Sequence, residues 1–239
     1  MPPQSQASPP PRWLLPTVLA LILAGAGGLA WSRGWFSSLP VRPLDGELLV
    51  SVRPKPGARD ALRLDDAGAL PVHAGGSMTI EVHFNQPASA YLVWIDCEGR
   101  VIPLYPWNDE TPDVTDIKRP PPVRRAAKLV SPMTIGGGWQ FGRTGGMETV
   151  LLLGRRTPIN DSAWAASFAP PQPIVKARQP NEFLLLGVDG SSHPAVTVLA
   201  QGPGGEGVPA AAEPLGALMT RLREHFELVR AVRFAHADD

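Results

Sequence analysis

Between Trp13 and Trp31 the chain reads WLLPTVLALILAGAGGLAW, with no charged residue. As a helix rising about 1.5 Å per residue this segment spans roughly 27 Å, close to the thickness of a bilayer's hydrocarbon core. Trp13, Trp31 and Trp35 suit the two interfaces, where an indole keeps its ring in apolar surroundings and its N–H in water. Pro16 falls in the first turn, where it breaks no internal hydrogen bond. The competing reading is a cleaved signal peptide, since Gly28-Leu29-Ala30 has the small-x-small form of a cleavage site. The run exceeds a usual signal core of about 7–15 residues, and Arg12 is the one basic residue before it, so a retained anchor is the preferred expectation. Residues 1–12 are rich in Pro, Gln and Ser and read as a disordered tail.

The anchor organises the rest. Residues 32–44 form a linker and 45–239 a β-rich globular domain. Ala20, Ala24 and Gly28 recur at a spacing of four, a small-residue stripe that would let two such helices pack as a weak homodimer; small residues are also simply common in membrane helices. Arg12 before the span and Arg33 and Arg42 after it lean toward a cytoplasmic main domain, but so few charges leave the side of the membrane undecided. The expected location is a single-pass position in a cell membrane, with the lipid bilayer as first partner.

Lys and Arg total 22 and Asp and Glu total 22, so the net charge is +0 and no overall field draws the chain to nucleic acid. With 24 Gly and 28 Pro and only 18% charged residues, the composition suits a loop-rich β protein better than a helical bundle. Strand patterns bear this out. Residues 48–52 form one apolar run. Met78, Ile80, Val82 and Phe84 alternate with Thr79, Glu81 and His83, until Asn85-Gln86-Pro87 breaks the pattern. Residues 90–96 and 101–106 read as a hairpin around Cys97-Glu98-Gly99-Arg100. The first of these strands is apolar on both faces and therefore central; Pro103 puts the second near an edge or bulge. An irregular stretch follows over 107–132, then strands at 149–153, 182–188 and 195–200. Asp161 or Ser162 caps a short helical turn. Residues 202–212 read as a flexible loop. Leu215, Leu218, Met219, Leu222, Phe226 and Val229 follow helical spacing, and 231–234 add a last strand. The expected fold is mainly β: a sandwich-like antiparallel domain with one C-terminal amphipathic helix, preceded by a single transmembrane helix.

The segment YLVWIDCEGRVIPLYPWND resembles the signature of the bacterial domain of unknown function 4384 family: an apolar strand ending in Asp, a Gly turn, and a second strand ending in an aromatic-Pro pair followed by Asn. The matching residues are Tyr91, Asp96, Gly99, Leu104, Tyr105, Pro106 and Asn108. Gly146, Glu148, residues 150–153 and Pro158 are similar to the family's later pattern. The likeness covers 45–168, departs from the family at the inserted Trp107, and leaves 169–239 as a C-terminal extension. It implies a sandwich-like accessory domain with no known catalytic residues.

No constellation in the sequence specifies catalysis. His73, His83, His193, His225 and His236 show no metal-ligand spacing, so no metal and no cofactor is expected. The acidic residues Asp109, Glu110, Asp113 and Asp116 lack the central Gly and closing Glu of a calcium loop and read as a solvated loop. The basic residues Lys118, Arg119, Arg124, Arg125 and Lys128 lack interleaved aromatics and read as a polar loop rather than a nucleic-acid site. The Gly-rich run 136–146 has no Gly-Lys-Ser/Thr ending and precedes a strand, so it is a β-loop rather than a phosphate cradle. The expected function is a membrane-tethered, non-catalytic module that binds a protein or peptide, with Tyr105, Trp107 and Trp139 as the candidate contact residues. The alternative is a hydrolase whose site assembles in space from Asp96, Cys97, His73, His193 or His225.

Overall fold

The computed structural model describes residues 42–106, 124–129, 138–169, 172, 174–188, 196–201 and 212–238. Contacts divide the chain after Arg42, and the unit from Pro43 onward carries the described fold. The anchor segment 13–31, Trp107, the acidic loop, His193 and residues 202–211 lie outside the described residues. Among the described residues no helix is long and apolar enough to cross a membrane.

The domain is mainly β. Its strands are β1 (Gly46–Arg53), β2 (Leu62–Arg63), β3 (Ser77–Ile95), β4 (Val101–Tyr105), β5 (Arg124–Leu129), β6 (Trp139–Gln140), β7 (Gly146–Arg155), β8 (Phe183–Val188), β9 (Val196–Gln201) and β10 (Leu228–His236). A 3₁₀ turn covers Ala163–Phe168 and one helix, α1, covers Ala212–Leu222. The strands form one antiparallel sheet in the order β2-β1-β3-β7-β10-β8-β9, with β4, β5 and β6 also paired to β3.

The sheet curls on β3. Its first half pairs with β1 from Ser77 to Phe84, and its second half pairs with β7 from Ser89 to Ile95. The sequence expectation of a break at Asn85-Gln86-Pro87 is corrected: the strand continues through these residues, passing from β1 to β7 while β5 stays paired across a register shift. Pro87 has no N–H to give to a ladder, so it fits the point where pairing changes sides. Asn85 secures the corner by donating from Nδ2 to the Pro43 carbonyl (2.9 Å) and accepting at Oδ1 from the Asp45 N–H (3.1 Å). Because the backbone stays extended, side-chain alternation survives the bend. Met78, Ile80, Val82 and Phe84, then Ala88, Ala90, Leu92 and Trp94, all enter one core.

That core lies between the curled parts of the sheet, with Leu48, Val50 and Val52 on one side and Val150, Leu152, Val232 and Phe234 on the other. The alternate residues Tyr91, Val93, Leu151, Leu153 and Val229 build a second core on the opposite face of the sheet. There α1 contributes Leu215, Leu218, Met219 and Leu222, and the 3₁₀ turn contributes Trp164 and Phe168. Phe226 sits at its centre, 5.4 Å from the rings of both Tyr91 and Trp164 in edge-on geometry. Tyr91, fully buried, keeps its hydroxyl satisfied by accepting the Ile159 N–H at 2.7 Å.

Several local expectations hold. Both faces of β3 are buried in its second half. Pro103 lies opposite Val93, beside the register shift between Leu92 and Val93. The Ala163 N–H donates to Asp161 Oδ1 at 3.0 Å, so Asp161 rather than Ser162 supplies the side-chain cap. Three further expectations are corrected. The irregular stretch 107–132 contains β5, which carries Arg124, Arg125 and Lys128 into a ladder with β3. The Gly-rich run already contributes β6 and the start of β7. Val229 belongs to β10, not to the helix. The helix stops at Leu222, one further turn keeps Phe226 in line through its N–H to the Leu222 carbonyl (3.0 Å), and the Glu227 N–H is then captured by the Gly154 carbonyl of β7 (3.0 Å).

Strand β10, from the C-terminal extension, pairs with both β7 and β8 and is therefore interior to the sheet. Phe226→Ala should accordingly lower unfolding stability by about 3–5 kcal/mol, the usual cost of emptying a fully packed aromatic site. Urea denaturation followed by tryptophan fluorescence measures it; a loss under 1 kcal/mol would mean the extension is peripheral to the fold.

Candidate functional site

The hairpin after β3 is shaped by Asp96. Its Oδ1 accepts the N–H groups of Glu98 (3.0 Å) and Arg100 (2.9 Å), and its Oδ2 accepts Arg100 Nε at 2.7 Å. Gly99 has φ = 79°, and a Cβ there would lie 2.3 Å from the Gln172 carbonyl oxygen. The Asp–Gly pair of the sequence signature is thus a turn device. Gly99→Ala combines left-handed strain with a backbone clash and should cost about 1–3 kcal/mol by thermal or urea unfolding, with Glu98→Ala, at an exposed turn position, as a near-neutral reference.

The turn delivers Cys97 to the place where three neighbouring strands end. Cys97 follows β3, Glu148 lies near the start of β7, and His236 closes β10. The end of β10 is held by Val72, whose N–H donates to the Ala235 carbonyl (3.1 Å) and whose carbonyl accepts the Ala237 N–H (2.9 Å). Glu148 is 1% exposed and His236 3%. The Glu148 carboxylate accepts the Trp94 indole N–H at Oε2 (2.7 Å) and faces His236 Nδ1 from Oε1 (2.7 Å). Phe141 packs on both partners, its ring 6.1 Å from Trp94 and 5.7 Å from His236. His236 Nε2 is buried and has no hydrogen-bond partner among the described residues. A cavity of about 210 Å³ opens beside the cluster, lined by Trp94, Asp96, Cys97, Arg100, Arg143 and Glu148 among others.

Cys97 is buried and donates its S–H to the Thr144 carbonyl at 2.7 Å. Burial, and after it the carboxylates of Glu148, Asp96 and Glu98, push its pKa from the ordinary 9.0 up to about 12. A thiol in this setting is a poor nucleophile, because reactive cysteines sit where positive charge favours the thiolate. Below about pH 9 folded and unfolded chains both hold the proton; between about 9 and about 12 only the folded chain does, so folding stability falls as pH rises through that window. In chelating buffer the wild-type urea midpoint should therefore drop more between pH 7 and about 10 than that of Cys97→Ser; equal slopes would contradict the assignment.

The residues named from sequence separate. Asp96 and Cys97 do meet at one cavity, but His73 lies in the loop before β3 and His225 in the turn after α1, and neither lines it. His83 faces Glu81 on β3, at 2.6 Å. Tyr105 and Trp139 are half-buried and pack against the first core. Sequence reasoning passed over Trp94, Glu148 and His236 as a group. The signal was present: Glu148 shares the alternation of Val150 and Leu152, and His236 that of Val232 and Phe234, which places a carboxylate and an imidazole on core-facing positions.

No family model, curated protein or solved structure matches the chain.

Proposed function

We propose that this chain is a membrane-tethered, non-catalytic β-domain that binds a protein or peptide partner, with residues 13–31 as its single membrane span in a bacterial cell membrane. The observation that carries the non-catalytic part is the state of Cys97: its proton is spent on a backbone carbonyl, and three carboxylates oppose its ionisation. That arrangement weighs against the hydrolase reading, which needs a thiolate beside a base. The two curled parts of the sheet facing each other across the first core fit the sandwich-like accessory domain that the domain of unknown function 4384 resemblance implies.

A binding surface is available between β1 and β8. Leu48, Val50, Leu64, Phe183, Leu185 and Val232 line an open groove of about 280 Å³, with Arg63 and Asp65 alongside. Its size and lining suit one or two apolar side chains of a partner, with the two charges to set direction. The stripe Ala20, Ala24 and Gly28 adds self-association within the bilayer as a second contact.

The test is fractionation followed by affinity capture from detergent-solubilised membranes. The full chain should stay with membranes through carbonate washing, and a captured partner should be lost in Leu185→Lys while the circular dichroism spectrum stays that of the wild type. Recovery as a soluble protein whose first residue follows Ala30 would remove the tether, and a partner equally retained by Leu185→Lys would remove the groove.

A further inference from the structure

We propose that Cys97, Glu148 and His236 together bind one thiophilic divalent cation of the zinc class. One ligand atom from each, the Cys97 sulfur, a Glu148 carboxylate oxygen and a His236 ring nitrogen, lie within 4.8 Å of one another. Around a tetrahedral zinc, with bonds of about 2.0–2.3 Å, such atoms stand roughly 3.4 Å apart. Side-chain adjustment of about an ångström therefore closes the set. The three residues come from the ends of β3, β7 and β10, whose register is fixed by continuous ladders, so the backbone presents the donors together before any ion arrives.

The donor types select the ion. One sulfur, one imidazole nitrogen and one carboxylate oxygen suit zinc and its softer neighbours. Calcium takes about 6–8 oxygen ligands and magnesium a near-ideal octahedron of oxygens, and neither set exists here. Charge points the same way. A thiolate and a carboxylate carry two negative charges, which a dication neutralises in a place where isolated charge is costly. The chemistry is a simple exchange: the metal–sulfur bond forms as the S–H bond breaks, the proton leaves to solvent through the adjoining cavity, and no electron is transferred.

Three further features belong to a metal site more than to a closed hydrogen-bond network. The Trp94 indole N–H holds Glu148 Oε2 and thereby orients Oε1, the support that outer-shell donors give to ligating carboxylates. Cys97 and Glu148 border the 210 Å³ cavity, which gives an entry path and room for a water as fourth ligand. His236, its side chain fully buried, already sets Nδ1 2.7 Å from Glu148 Oε1, so a nitrogen and an oxygen donor face each other before an ion replaces that contact.

The experiment uses the full chain in detergent, stripped with a chelator and titrated with Co²⁺ and then Zn²⁺. Cys97 is the chain's single cysteine, so a thiolate-to-cobalt charge-transfer band in the near ultraviolet reports this site alone. The expected result is that band, with the visible bands of four-coordinate cobalt, saturating at one equivalent and bleached by Zn²⁺. Cys97→Ser should remove the charge-transfer band, and Trp94→Phe, which leaves all three ligands in place, should weaken binding about 10–100-fold. Absence of the band in wild-type protein whose circular dichroism shows an intact β fold would overturn the site. So would a cobalt spectrum unchanged in Cys97→Ser, which would place the ion elsewhere. The wild-type titration decides the matter even where a variant fails to fold, and it is independent of whether the chain proves to be membrane-bound.

Discussion

Strand β3 is the member on which the other pairings depend. It bonds to β1 and β6 along its first half, to β4 and β7 along its second and to β5 on both sides of the bend, while Met78, Ile80, Val82, Phe84, Ala88, Ala90, Leu92 and Trp94 share one face. Had the strand slipped by one residue at its bend, every side chain beyond Pro87 would have changed sides, exchanging Leu92 and Trp94 with Tyr91 and Val93. Preserving the alternation lets one backbone turn a corner and still feed a single core. It also aims Trp94 inward at the far end, where its indole meets Glu148.

Glu148 then sets what that end of the sheet can be. A carboxylate at 1% exposure is unfavourable by several kcal/mol unless it is matched by donors or positive charge. Trp94 supplies one N–H and His236 a nitrogen, and both arrive on core-facing positions of neighbouring strands. The same carboxylate raises the pKa of Cys97, making it a weaker acid, by repelling its thiolate. One buried negative charge thus fastens two side chains to each other and opposes the ionisation of a third, so the cluster of Cys, His and Glu is not arranged as a catalytic triad. In a triad the imidazole stands between carboxylate and nucleophile; here the thiol's proton goes to the Thr144 carbonyl.

Strand type and position were legible where alternation or an apolar run was strong, as in β1, both halves of β3, β7 and β8. The reading failed where two signals overlapped. Asn85-Gln86-Pro87 looked like a terminator because polar residues and Pro usually end strands, yet the strand continues there and passes from β1 to β7. Val229 matched a helical face by spacing alone, but Glu227 is bonded to β7 through its N–H and ion-paired with Arg156, and this ends the helix earlier. Strand β5 was hidden by its charges: Arg124, Arg125 and Lys128 leave little apolar pattern to recognise. The Asp96–Gly99 turn was visible as a motif, although its role is to shape the hairpin.

The site at the sheet's end was harder to read for a different reason. Cys97, Glu148 and His236 are separated by 51 and 88 positions along the chain, and no local spacing rule links ligands drawn from three strands. What links them is register: Ile95 is paired with Thr149, and Phe234 with Glu148, so the residues next along each strand must converge. Searching for His or Cys at short intervals finds helical and looped metal motifs and passes over sites of this kind. The informative feature was an acidic residue on the core-facing side of an otherwise apolar strand. Such a residue requires a partner of opposite sign or a set of donors, and the search for that partner leads from Glu148 to His236 and from there to the one thiol in the chain.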